Sequence, residues 1–194
     1  MDLDLPRTWL GASADILPVL RENTSPANAW EAGLANPDAR VVRTAVAPFL
    51  DVAAVLDRPD YRLFVNAGHL TRWDTDAATV LEQARANLPA AEGLRPWPEA
   101  DGVWQLAAGD GYESSRLVLP GFLTAFAEQV RGRPIAFVPD ARTLLVTGSE
   151  QGLPLEAALT AAWNTFHEAG TPVSCAPYTV TDHGRVVAWQ PGPD

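Results

Sequence analysis

The densest group of polar side chains in the sequence surrounds a Gly-Asp-Gly stretch. Asp110, Glu113, Ser115 and Arg116 lie within seven positions of one another. These residue types can form a small polar pocket, in which Arg116 would bind an anion through two parallel hydrogen bonds. A structural interpretation also fits: a turn in which Asp110 and Ser114 bond the local backbone and Arg116 pairs with Glu113 on the surface. We favour the turn and keep the pocket as the alternative.

Known catalytic and cofactor motifs are missing from the chain. The Gly-Asp-Gly stretch begins a G-x-G pattern, but Ser114 stands where the dinucleotide fingerprint needs its third glycine. The sequence has no G-x-S-x-G, no P-loop and no H-E-x-x-H motif. We therefore predict no bound cofactor and assign no catalytic residue, without excluding every enzyme.

Cysteine and histidine chemistry has little support. The one cysteine, Cys175, excludes an internal disulfide and a cysteine-based metal cluster. As a nucleophile it would need His183, oriented by Asp182, but Asp-His-Gly is favourable turn chemistry and we favour a turn. The other histidines, His69 and His167, are far away in sequence and form no ligand pair, so we predict no metal site.

Tryptophan is abundant, with seven residues. Trp73, Trp97 and Trp104 lie in or beside a Pro- and Gly-rich stretch over residues 89–102. They either hold that stretch against a sheet or line a groove for a partner. We favour packing, and we keep Trp97 and Trp104 as candidate binding residues.

The charge of the chain narrows its partners. The net charge is −10, all basic residues being arginine, and each half carries −5. A field of this sign repels phosphate backbones, so we predict no nucleic-acid binding. No apolar run approaches membrane-spanning length, and the acidic N-terminus does not resemble a secretory signal. We expect a soluble, cytoplasmic protein with no membrane partner.

The elements that must position these residues are predicted as follows. A helical segment over residues 1–40 packs on an α+β domain over residues 41–194. Within the segment, one helix runs from Ser13 toward Arg21, and Ser25-Pro26 opens another.

The domain itself combines three β-hairpins with helices. The hairpins are predicted over residues 50–65, 135–146 and 178–189, with a further strand at 103–107. The helices are predicted over residues 76–88, 120–130 and 155–169. Hairpins separated by helices favour an α+β fold, an antiparallel sheet with helices packed on it in a single domain. The core face of the last helix is predicted to consist of Leu155, Leu159, Ala162, Trp163 and Phe166.

Residues 50–149 resemble a known family. The stretch LDVAAVLD is followed by a helix that ends in A-x-x-N-L, then by SRL and by a P…LL hairpin. The matching residues are Ala84, Asn87, Leu88, Ser115, Arg116, Leu117, Pro139, Leu144 and Leu145. The pattern is similar to the YtpQ-like family of uncharacterised bacterial proteins. The turn after Pro139 departs from the family pattern of Arg then Asp, since it reads Asp140-Ala141-Arg142. The resemblance implies a fold and no chemistry, because no activity is assigned to that family.

Three hypotheses about function remain open. The first is a non-catalytic binding or adaptor module that holds a protein, peptide or small ligand on its sheet or beside residues 89–104. The second is a small-molecule enzyme with a polar pocket around Asp110, Glu113, Arg116 and Arg142. It is favoured if the Ser115–Arg116 segment and the turn at 139–142 converge on one cleft. The third is a regulatory protein that works with a partner protein. Free edge strands also allow a homodimer.

Overall fold

The structure is a computed structural model that describes residues 5–23, 36–89, 94–97 and 100–191. The strands form two antiparallel sheets, and helices pack on them. The predicted α+β class is therefore confirmed, with two sheets where the sequence indicates one. The helix expected to begin at Ser25-Pro26 lies outside the described residues.

Strand β3 (Leu50–Arg58) is the centre of the first sheet. It pairs along one edge with β1 (Ile16–Glu22), and along the other with β2 (Arg43–Ala47) and β4 (Tyr61–Phe64). The predicted hairpin over residues 50–65 is confirmed. The chain reverses between Arg58 and Tyr61, so Asp57 lies within the strand, directly opposite Arg62.

The predicted helix from Ser13 toward Arg21 is wrong. A single 3-10 turn covers Ser13–Asp15, and residues 16–22 form strand β1. Ile16, Pro18 and Leu20 are buried and alternate with partly exposed residues, which is the period of a strand and not of a helix. Pro18 is tolerated because β3 is the one described strand that pairs with β1, and an edge strand needs no donor on its outer side.

The second sheet has the strand order β10-β9-β7-β8-β6-β5. Its strands are β5 (Leu94–Pro96), β6 (Trp104–Leu106), β7 (Pro134–Phe137), β8 (Leu145–Gly148), β9 (Pro177–Val180) and β10 (Val186–Ala188). Strands β7 and β8 form the second predicted hairpin, and β9 and β10 the third. The strand expected at residues 103–107 is confirmed as β6.

The helices include α1 (Trp9–Ala12), α2 (Ala67–Trp73), α3 (Ala77–Asn87) and α4 (Leu153–Glu168). The predictions of α3 and α4 are confirmed. At the start of α3 the Asp76 side chain accepts a hydrogen bond from the Thr79 backbone N–H at 2.8 Å, which satisfies one of the free donors of the first turn.

Helix α4 is rotated relative to the predicted core face. Ala158 and Ala162 are fully buried against the second sheet, whereas Leu159 is 37% and Trp163 is 57% exposed. The small alanines allow the helix to approach the sheet closely, and the bulky apolar residues next to them are left at the edge of the contact. The assignment of Leu159 and Trp163 to the core is therefore wrong.

The helix predicted over residues 120–130 is also wrong. Gly121 has φ of +75°, a left-handed conformation that a right-handed helix cannot include. The chain instead forms short 3-10 helices at Ser114–Val118 and Leu123–Phe126. Leu123 and Phe126 are both buried, because the i, i+3 spacing places them on one side of a 3-10 turn.

One large apolar cluster connects the two sheets. It contains Ile16 and Val52 from the first sheet, Ala136 and Tyr178 from the second, and Leu81 from α3. The opposite face of the second sheet packs on α4. In the described part of the chain, no helix is both long and apolar enough to cross a membrane.

Candidate functional site

The site begins at a tight loop that follows strand β6. Gly109 and Gly111 have φ of +76° and +78°, values that residues with a Cβ rarely adopt. Between them, the Asp110 carboxylate accepts a hydrogen bond from the Tyr112 backbone N–H at 2.9 Å. The predicted turn is confirmed, and it turns the chain so that residues 113–116 enter the protein interior.

Arg116 is held inside the protein by Asp110. The guanidinium donates to both carboxylate oxygens, at 3.1 and 2.6 Å, and Arg116 is only 2% exposed. Hydrogen bonds from Arg116 hold the pKa of Asp110 below its usual range. The predicted surface pair between Arg116 and Glu113 is therefore wrong. Arg116 is also not available to bind an external anion, because Asp110 occupies it.

Ser115 and Ser114 do not have the predicted roles either. Ser115 is buried, at 2% exposure, and lies away from any described cleft. The hydroxyl of Ser114 makes no hydrogen bond with the described residues, although the turn interpretation has it bonding the local backbone. Both serines are buried within the 3-10 helix that carries Arg116.

Glu113 is the unusual residue of the site. Its side chain is buried, at 3% exposure, and its Oε1 accepts a hydrogen bond from the Gly109 backbone N–H at 2.6 Å. Its Oε2 is buried and has no hydrogen-bond partner in the described part of the chain. A buried acceptor of this kind is costly unless something binds to it.

A polar cleft of about 620 Å³ opens beside Glu113. Its lining residues are Arg62, Gln105, Leu106, Ala107, Gly109, Asp110, Gly111, Glu113, Ala141, Arg142 and Thr171. The volume falls in the range of small-molecule sites, roughly 300–1,000 Å³. We refer to it below as the polar cleft.

The turn at residues 140–142 also contributes to the lining of the polar cleft. The Asp140 carboxylate accepts a hydrogen bond from the Arg142 backbone N–H at 2.9 Å, which fixes the turn. The Ser114 backbone N–H donates to the Ala141 carbonyl at 3.2 Å, so the residues next to Glu113 and Arg142 are bonded to each other. The loop from Gly109 to Glu113 and the turn at residues 140–142 therefore meet at one cleft, whereas Ser115 and Arg116 are not part of its lining.

Sequence reasoning missed a second polar group at this cleft. Arg62 donates to both oxygens of Asp57, at 3.2 and 3.0 Å, and lies over the Tyr112 ring with its Cζ 4.6 Å from the ring centre. The Tyr112 hydroxyl donates to Asp57 Oδ2 at 2.5 Å. Burial, together with the bond to Asp57, raises the pKa of Tyr112 well above its usual range. The sequence signal for this pair is the strand register, because a two-residue turn between Arg58 and Tyr61 places Asp57 opposite Arg62.

The tryptophans do not form the groove that was considered. Trp104 packs against the main apolar cluster, and Trp97 packs against the cluster under α4, on the other face of the second sheet. Successive side chains of an extended chain point to opposite faces, so Val103 and Trp104 lie on different sides of the sheet. The Trp97 backbone N–H donates to the Val103 carbonyl, and Trp97 packs in the same cluster as Val103. Trp73 stacks on His69 at 5.1 Å, among the helices of the first half.

The histidines and Cys175 are not part of the lining of the polar cleft. The stretch Asp182-His183-Gly184 forms the predicted turn, with Gly184 at φ of +73°. Among the described residues, no group of three His, Cys, Asp or Glu side chains could hold a metal ion. No family model matches the chain, and neither the curated proteins nor the solved structures contain a match. The resemblance to the YtpQ-like family stays a prediction.

Proposed function

We propose that this protein is a non-catalytic binding module for a small polar ligand, which places a cationic nitrogen on Glu113 in the polar cleft. The observation that carries the proposal is the buried Oε2 of Glu113, which lacks a partner among the described residues. Leaving a buried acceptor unsatisfied costs about 1–3 kcal/mol, and more for a charged group. An N–H group of a ligand would supply the missing hydrogen bond and the opposite charge.

The charges of the neighbouring carboxylates support a cationic group. Asp110 is matched by Arg116, and Asp57 is matched by Arg62. Glu113 forms no ion pair with any described arginine, so it is the carboxylate of the cleft whose charge is left unmatched. A charged donor makes the stronger hydrogen bond to a carboxylate, about twice that of a neutral one.

Binding is better supported than catalysis. An acid–base enzyme with two carboxylates needs one of them protonated near neutral pH. Asp110 is held ionised by Arg116, which lowers its pKa, so it does not serve as the acid. Because Asp110 is committed to its ion pair with Arg116, an acid–base enzyme at this cleft would have to use Glu113 as the acid.

The test uses small primary amines, with n-propylamine and ethanolamine as probes and 1-propanol as the neutral analogue. In thermal-shift and calorimetric titrations the amines should raise the melting temperature with increasing concentration, because they bind the native state. The alcohol should not. Glu113→Gln keeps an oxygen for the Gly109 N–H and removes the charge, so it should weaken amine binding at least about tenfold.

The matched control is Glu128→Gln, which removes the same charge from an exposed position away from the cleft. It should bind the amines as the parent protein does. Amine binding that is equal in Glu113→Gln and in the parent protein would contradict the proposal, as would a parent protein that binds none of the amines.

A further inference from the structure

We propose that the ligand of the polar cleft is a small zwitterion of the α-amino-acid class, whose carboxylate binds Arg142 while its ammonium group binds Glu113. The inference rests on the proposed function and adds the second charged group of the ligand. It is carried by Arg142, which the amine-binding argument does not use.

Arg142 has a fixed backbone and an uncommitted guanidinium. Its backbone is held by the Asp140 side chain, its side chain is exposed, and it lines the polar cleft. Its guanidinium makes no ion pair or hydrogen bond with the described residues. A guanidinium offers two parallel donors to a carboxylate, which is the geometry of the strong bidentate pair.

Glu113 and Arg142 belong to adjacent segments but do not pair with each other. The hydrogen bond from Ser114 to Ala141 lies between them and holds their backbones together. Both residues line the cleft, yet Glu113 Oε2 remains without a partner among the described residues. A ligand that carries both an ammonium group and a carboxylate would complement the two residues. Its ammonium group would bind Glu113, and its carboxylate would bind Arg142.

The remaining charges of the cleft are already neutralised. Arg62 is bonded to Asp57, and Asp110 is bonded to Arg116. Among the described residues of the lining, one negative and one positive group are left unmatched, which fits a ligand with no net charge. A net anion would also be repelled by a protein of net charge −10, whereas a zwitterion is not. One arginine suits a carboxylate better than a multiply charged phosphate.

The experiment measures calorimetric affinities for glycine, L-alanine, L-serine, L-glutamine and L-leucine. For L-alanine the single-charge analogues are alaninamide, which lacks the carboxylate, and propionate, which lacks the ammonium group. We expect at least one amino acid to bind, and to bind at least about tenfold more tightly than its amide. Propionate should bind more weakly than both the amino acid and the amide.

Two arginine variants make the test specific. Arg142→Gln should reduce the affinity for the amino acid to that of its amide and leave the affinity for the amide unchanged. Arg185→Gln is the matched control, because it removes the same charge from another exposed turn that is outside the cleft. It should change neither affinity.

The outcomes separate the two proposals. If amines and amides bind through Glu113 but no amino acid binds more tightly, the zwitterion is wrong and the proposed function stands. The same conclusion follows if Arg142→Gln leaves the preference for the amino acid intact. If neither amines nor amino acids bind, both proposals are wrong.

Discussion

The Asp110–Arg116 pair shows how unequal the two partners of one ion pair can be. Arg116 is 2% exposed, whereas the Asp110 side chain is 36% exposed and reaches water. Removing the anion therefore leaves a buried, uncompensated guanidinium, whereas removing the cation leaves a carboxylate that water can solvate. The unequal burial predicts unequal costs for the two deletions.

We expect Asp110→Asn to lower the free energy of unfolding by about 3 kcal/mol, near the lower end for a broken buried pair. Arg116→Met, which retains most of the buried volume, should cost less. Urea denaturation of both variants at neutral pH gives the comparison. An equal or larger loss in Arg116→Met would show that Arg116 stabilises the fold by packing rather than through its buried charge.

The Asp110–Arg116 pair also makes the stability of the protein fall at acidic pH. Because Arg116 lowers the pKa of Asp110 in the folded state, the contribution of Asp110 is complete above the unfolded pKa of about 3.9 and is lost as the pH falls through the folded value. Asp57 acts in the same direction, since hydrogen bonds from Arg62 and Tyr112 outweigh the opposite effect of burial on its pKa. The parent protein should lose stability below about pH 4, and Asp110→Asn should lose less over that interval.

At the scale of the elements, the end of strand β8 depends on the absence of a side chain. A Cβ on Gly148 would overlap the carbonyl oxygen of Arg131 and lie 2.8 Å from its nitrogen, so the backbone of one segment would have to move. Gly170, just after α4, has no heavy atom within 4 Å of the corresponding position. Substitution by alanine at Gly148 and at Gly170 therefore compares a crowded position with an open one.

We expect Gly148→Ala to lower the free energy of unfolding by about 1–3 kcal/mol, because it forces the backbone apart as overpacking does. Gly170→Ala should be neutral or stabilising by a few tenths of a kcal/mol, since it reduces the entropy of the unfolded chain without a clash. Chemical denaturation measures both. A Gly148→Ala variant as stable as the parent protein would show that residue 131 moves aside without cost.

At the scale of the whole molecule, Tyr178 connects the two sheets. It is fully buried on β9 of the second sheet, and its hydroxyl donates to the Pro48 carbonyl beside the first sheet at 3.2 Å. The hydroxyl also lies 2.7 Å from Ser174 Oγ. Since the main apolar cluster also spans both sheets, we expect them to unfold together.

Tyr178→Phe should lower the free energy of unfolding by about 1–3 kcal/mol, because it leaves the Pro48 carbonyl and the Ser174 hydroxyl without this partner. The transition should remain single, with the same midpoint by tryptophan fluorescence and by far-UV circular dichroism. Two separate transitions, in the parent protein or in the variant, would show that the sheets are independent units.

The local features of this protein follow from its amino-acid sequence alone. The hairpin over residues 50–65, the turns at Gly109–Gly111 and Asp182–Gly184, and the existence of helix α3 were all predicted correctly. Each depends on backbone preferences of neighbouring residues, such as glycine with positive φ or aspartate at a helix start. The acidic character can be read directly from the composition, and the α+β class follows from the order of the predicted strands and helices.

The pairing of the polar residues, and which of them line the cleft, depend on the tertiary structure. Sequence spacing suggested that Arg116 pairs with Glu113, but folding buries Arg116 on Asp110 and leaves one oxygen of Glu113 without a partner among the described residues. The rotation of α4 and the separation of Trp97 from Trp104 depend likewise on what each face meets in three dimensions. These outcomes depend on contacts between distant segments, which no local preference of the backbone encodes.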